Sequence, residues 1–135
     1  MYEYYVKKVE NVVDGDTIDV LIDLGFDILF ASRVRLAGID TPESRTRDLA
    51  EKKLGLESKE YIKKLLKDAK SIIIKTEKMN STEKFGRILG WLYIDGDTVS
   101  INDHMINDGY AWGYMGDAKV KDFDALVKAR EKSKK

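Results

Sequence analysis

Three extended segments separated only by glycine-containing turns precede the first helical pattern, and this order restricts the fold more than any other feature of the chain. From Tyr2 to Val13 aromatic and β-branched residues dominate. Asp14-Gly15 interrupts them, and Thr17 to Ile22 resumes with Ile18, Val20 and Ile22 in alternation. Asp-Gly between two such runs predicts a β-hairpin, because these residues accept the backbone angles of a tight turn. A second turn, Asp23 to Phe26, leads into Ile28 to Leu36, a third strand with Arg33 and Arg35 on one face and Val34 and Leu36 on the other. Three consecutive strands make a meander.

Thr41-Pro42 closes this region, and the charged stretch from Ser44 to Lys53 is expected to be a mobile surface loop or a frayed helical turn. Ile62, Leu65, Leu66 and Ala69 then fall at i, i+3, i+4 and i+7, one face of a helix whose lysines Lys63, Lys64 and Lys67 read as a wet face. Ser71 to Thr76 is a β-branched run, Glu77 to Lys84 a polar loop, and Arg87 to Ile94 a strand ending at Asp95-Gly96. The order β-β-β-α-β-β is that of an OB-fold, a mainly β, α+β architecture: a five-stranded barrel with a helix between its third and fourth strands. Two C-terminal helices are expected beyond it. Ser100 caps the first and Gly109 ends it, and Phe123, Leu126, Val127 and Arg130 mark the second, which runs into a charged tail with no apolar segment to pin it.

The 135 residues, 43% of them hydrophobic and one a proline, fit one compact domain over residues 1–135. Cysteine is absent, which excludes disulfides and thiolate metal sites, and one histidine, His104, cannot complete a structural zinc shell. Equal numbers of acidic and basic residues, 24 each, leave no net charge, so any polyanion site must be local. No apolar run approaches the ~20 residues that cross a bilayer, so no membrane association is expected. The N-terminus lacks the apolar core of a signal peptide. A cytoplasmic protein is therefore expected, or a secreted one if the chain is a mature form, and in either case a monomer.

Carboxylates at Asp14-Gly15-Asp16-Thr17 and Asp40-Thr41-Pro42-Glu43 are hard oxygen donors of the kind that suit Ca²⁺ or Mg²⁺, provided a fold brings the two segments together. The chain contains its own control, since Asp-Gly-Asp-Thr recurs at 95–98 with nothing nearby to suggest a metal. An isolated copy is a turn with exposed carboxylates. The first copy differs because Arg35-Leu-Ala-Gly-Ile-Asp-Thr-Pro-Glu43 and Lys84-Phe-Gly-Arg87 follow it in order.

This combination resembles the staphylococcal nuclease family of OB-fold thermonucleases. The resemblance implies a Ca²⁺-dependent nuclease that hydrolyses DNA and RNA, leaving 3′-phosphate and 5′-hydroxyl ends. Its substrates would be single-stranded DNA, RNA and duplex DNA. Asp16, Asp40 and the main-chain carbonyl of Thr41 match the Ca²⁺ ligands, with Asp14 behind them. Glu43 matches the carboxylate that handles the attacking water, and Arg35 and Arg87 the guanidinium pair on the scissile phosphate. Lys84, Phe85 and Tyr114 fall at substrate-binding positions. Arg33 remains a solvated arginine, and burial is expected for Tyr110 and Trp112. The rival expectation is a non-catalytic nucleic-acid-binding OB module, a class that loses the metal and arginine positions this chain retains.

Overall fold

Strands β1 (Tyr2–Asp14), β2 (Thr17–Asp23) and β3 (Leu29–Leu36) form the predicted meander, with Val12 opposite Ile18 and Thr17 opposite Arg35. The computed structural model describes residues 2–76, 87–114 and 121–134. After the two-residue strand β4 (Ile39–Asp40) come helix α1 (Leu49–Asp68), β5 (Ile72–Thr76) and β6 (Ile88–Ile94). The barrel closes in the order β1-β2-β3-β6-β5, with β3 and β6 parallel and the other neighbours antiparallel. This is the OB-type α+β barrel that the order of the segments predicts. Helix α2 (Ile101–Asn107), strand β7 (Trp112–Gly113) and helix α3 (Phe123–Ser133) complete the fold.

The alternation read in β2 is its burial pattern: Ile18, Val20 and Ile22 point into the barrel with Val34, Leu36, Ile74 and Leu92. Ile62 and Leu66 seat α1 on the same core. Burying a side chain of this size contributes roughly 1.5–3 kcal/mol, enough for two such residues to fix which face of α1 turns inward. Asn102 ties α2 to the β3–β6 seam. It accepts from Leu92 N at 3.1 Å and donates to the carbonyl oxygens of Ala37 at 2.7 Å and Gly90 at 3.2 Å.

Two expectations are corrected. The charged stretch from Ser44 to Lys53, expected as a mobile loop or a frayed helical turn, is part of a regular helix from Leu49 onward, because Asp48 accepts from the amides of Ala50 and Glu51 and nucleates α1 ahead of its first buried residue. The C-terminal helix, expected to fray for want of an apolar anchor, is held by a buried arginine instead. Arg130 donates to Gly109 O at 3.0 Å, Ser58 Oγ at 3.3 Å and Glu57 Oε1 at 2.8 Å, and its guanidinium lies over the Tyr110 ring. Tyr110 in turn stacks on Tyr61, whose hydroxyl donates to Asp108 Oδ2 at 2.5 Å.

Candidate active site

Close packing, more than the hairpin turn itself, sets the position of Asp16. A Cβ on Gly15 would stand 2.9 Å from Ser58 Cβ of α1 and 3.1 Å from Thr41 Cγ2, closer than side-chain carbons normally pack. The absent side chain lets the β1–β2 tip sit between the helix and the Asp40–Glu43 segment. From the other side, a Cβ on Gly55 of α1 would lie 2.5 Å from the carbonyl of Glu43 and 2.7 Å from Pro42 O. Two glycines thus bring three separate segments to one place.

Asp16, Arg35, Asp40 and Thr41 are all buried there. One guanidinium nitrogen, Arg35 Nη2, lies 3.5 Å from Asp16 Oδ2 and 3.7 Å from Asp40 Oδ1, so both carboxylates approach the same nitrogen. The same guanidinium donates at 2.9 Å to Leu36 O and at 2.9 Å to Ile39 O, which folds the β3–β4 turn back onto its own strand. Thr17 Oγ1 donates to Asp16 Oδ1 at 3.0 Å, and Ser44 Oγ donates to Asp14 Oδ1, tying the hairpin to the segment that follows β4. Arg35 has five N–H donors, and the two carbonyls leave it capacity for another acceptor.

Two carboxylates and a main-chain carbonyl brought to one strand junction are hard oxygen donors. Asp16, Asp40 and the Thr41 carbonyl therefore suit a hard divalent ion such as Ca²⁺. Among the described residues no three His, Cys, Asp or Glu side chains cluster as a metal cage, so solvent or substrate oxygens would complete the shell.

Glu43 behaves differently. Its carboxylate is 65% exposed, and only Lys121 Nζ, at 3.8 Å, approaches it as an ion-pair partner among the described residues. Its main-chain N–H donates to Glu51 Oε2 at 3.1 Å, and that oxygen also accepts from Lys121 Nζ at 3.0 Å. Burial alone would lower the Lys121 pKa. The hydrogen bond and charge of Glu51, with the charges of Glu43 and Asp40, outweigh it and hold the ammonium above the usual lysine range. Sequence reasoning missed both residues. Asp48, three positions before Glu51, is a helix-start signal that could have revealed Glu51, whereas nothing local marks Lys121.

Arg87 is half-buried and directly precedes β6. Leu89 pairs with Arg35, so Arg87, two residues before Leu89, shares the face of the sheet that carries Arg35. Tyr114 follows β7, whose Trp112 pairs with Asp40, and the Tyr114 N–H donates to Gly38 O at 2.8 Å, beside the same segment. Lys84 and Phe85 lie outside the described residues. Arg33 is exposed in a two-point pair with Asp19, at 2.8 and 3.1 Å. Tyr110 and Trp112 are half-buried, Trp112 donating to Asp122 O and meeting Phe123 edge to face.

The second Asp-Gly-Asp-Thr copy has an architectural use throughout. Asp95 accepts from the amides of Lys70 and Ser71, tying the connection between α1 and β5 to the turn after β6. Asp97 accepts from Val99 N and contacts His104 Nε2 at 2.8 Å.

The fold is thus an OB-type barrel with buried acidic residues around an arginine at one strand junction. The sequence profile described as Staphylococcal nuclease homologue matches residues 33–135, and the chain belongs to that family. The matched span includes Arg35, Asp40, Thr41, Glu43 and Arg87 and starts after Asp14 and Asp16. An uncharacterised protein of Methanocaldococcus jannaschii is 28% identical over 90% of this chain and 65% of its own length. The SPbeta prophage-derived endonuclease YokF of Bacillus subtilis is 28% identical over 93% of this chain and 40% of its own length, and endonuclease YncB of the same species 29% over 78% and 48%. The chain thus spans less than two thirds of the length of these curated relatives.

Proposed function

We propose that this chain is a Ca²⁺-dependent nuclease that hydrolyses phosphodiester bonds of DNA and RNA and leaves 3′-phosphate and 5′-hydroxyl ends. The observation that carries the reading is the pair of buried carboxylates, Asp16 and Asp40, meeting at one nitrogen of Arg35. Membership of the nuclease-homologue family and the names of YokF and YncB support it.

Asp16, Asp40 and the Thr41 carbonyl would hold Ca²⁺, which would supply positive charge for the phosphoryl oxygens and acidify a nearby water. The chain does the rest. The uncommitted N–H groups of Arg35 hold one phosphoryl oxygen, and the solvent-facing Glu43 accepts the proton of the attacking water. As the new P–O bond forms, the bond to the 5′-oxygen breaks, and Arg87 stabilises the charge on that leaving oxygen before solvent protonates it. A planar guanidinium suits this task because it meets two oxygens at once. Removing one such preorganised donor is expected to cost about 10²–10³ in rate.

Digestion of denatured DNA with Ca²⁺, with Mg²⁺ and with EDTA tests the metal. Cleavage is expected with Ca²⁺, little with Mg²⁺ and none with EDTA, and undiminished cutting in EDTA would remove the metal from the reading. A polynucleotide kinase lacking phosphatase activity should label the 5′ ends of the products, and a polymerase should fail to extend their blocked 3′ ends. Binding of DNA without cleavage under every condition would instead assign the chain to non-catalytic modules.

A further inference from the structure

Away from the candidate active site, β1 and α1 enclose a groove of about 470 Å³ lined by Lys7, Lys8, Lys63, Lys67 and Lys70, with Glu10 the one carboxylate among its lining residues. The chain as a whole carries no net charge, so this convergence is a local concentration of positive charge. All five lysines are exposed, and among the described residues no carboxylate lies within ion-pair distance of any of them. Outside the groove, Lys75 is paired with Glu3 at 3.1 Å and Arg33 with Asp19 at 2.8 Å.

The backbone explains the convergence. β1 pairs with β5 only over Tyr2–Tyr5, and beyond that the same strand packs along α1. A register shift between Val6 and Lys8 leaves Lys7 without a β2 partner, so two consecutive lysines are exposed where simple alternation would bury one. Across the groove, Lys63 and Lys67 are one helical turn apart, their Cβ atoms about 5–6 Å from each other on one face. Lys70 follows at the helix end.

The groove leads toward the candidate site. β1 and α1 run antiparallel: Gly15, at the end of β1, touches Ser58 in the first half of α1, while the lysines occupy the other half of each element. Val12, at the near end of the groove, is two residues from Asp14.

We propose that this lysine groove is an accessory track for the sugar–phosphate backbone of the nucleic-acid strand, binding it on the approach to the cleavage site. The groove holds ammonium groups and no exposed aromatic platform, so it reads phosphate charge and not sequence. The identity of the polyanion rests on the nuclease reading, whereas the charge and shape of the groove do not.

The test uses two triple variants of equal charge change: Lys63→Gln, Lys67→Gln and Lys70→Gln in the groove, and Lys64→Gln, Lys128→Gln and Lys132→Gln, all exposed and outside it. Binding to an oligothymidylate that spans the groove is measured by fluorescence anisotropy in EDTA over a salt series. The groove triple is expected to bind more weakly and to flatten the log–log salt slope by about two, as loss of three phosphate contacts with a single strand requires, while the control triple keeps the slope of the unaltered chain. With Ca²⁺ present, KM for long DNA should rise in the groove triple only, and kcat/KM for a dinucleotide should stay unchanged. Equal effects of the two triples, or none from either, would overturn the track. If the unaltered chain cuts nothing but the groove triple still loses salt-dependent binding, the nuclease reading fails and the groove stands.

Discussion

At the scale of single residues, the two copies of Asp-Gly-Asp-Thr show how little a motif means without its surroundings. Gly15 serves by lacking a Cβ where the tip packs on Ser58 and Thr41, whereas Gly96 serves through its backbone angle, φ +77°, next to Asp95 at φ +51°. The carboxylates diverge accordingly. Asp16 is buried against Arg35, and Asp97 is spent on Val99 N and His104 in an exposed turn. Asp16→Ala is expected to abolish measurable Ca²⁺ binding by calorimetry and to lower kcat by at least about 10². Asp97→Ala should leave both nearly unchanged, because its hydrogen bonds are solvent-exposed and contribute only ~0.5–1.5 kcal/mol each to stability. Equal losses from the two substitutions would mean that the copies are functionally equivalent and the assignment is wrong.

At the scale of elements, α1 acts as the mould of the site. Its first turn supplies Glu51 to the Glu43 amide, and Gly55 lies flat against the Pro42 and Glu43 carbonyls. Gly-to-Ala in a helix interior ordinarily stabilises by about 1 kcal/mol. Here the added methyl would meet backbone atoms at 2.5 Å that cannot rotate away. Gly55→Ala should therefore destabilise by roughly 1–3 kcal/mol in urea titration. Displacement of the Asp40–Glu43 segment should also lower kcat by about 10², since an error near 1 Å in catalytic geometry costs that much. A stabilised and fully active variant would show that α1 does not shape the segment.

At the scale of the whole molecule, alkaline pH probes how the C-terminal elements are joined to the barrel. Burial, reinforced by the hydrogen bond to Asp108 and by its charge, raises the Tyr61 pKa well above the usual tyrosine value, and that of Lys121 is raised as well. A raised folded-state value means that the folded chain holds its proton more tightly. The stability gained is complete below the unfolded values of about 10 and 10.4 and is lost as pH rises above them. The urea midpoint is therefore expected to be flat for these groups up to about pH 10 and to fall beyond it, and Tyr61→Phe should make that fall shallower. An identical alkaline slope in Tyr61→Phe would show that the tyrosine does not take part.

The strands, the helix face at Ile62 and Leu66 and the caps at Ser100 and Gly109 were legible along the chain, because alternation, helical spacing and capping are properties of neighbouring residues. The structure brings the sequence-expected residues Asp16, Arg35 and Asp40 together, buried at one junction. The start of α1 at Leu49 was not legible, because charged residues hide a helix whose first turns pack through a glycine and a carboxylate and not through an apolar face. Nor was the anchoring of α3 by Arg130, whose three acceptors come from α1 and the segment after α2. Which carboxylate Lys121 reaches and which five lysines share a groove were decided only by the tertiary structure. Each depends on contacts between residues far apart in the chain, and the energy of a charge is set by the burial and the partners that such contacts create.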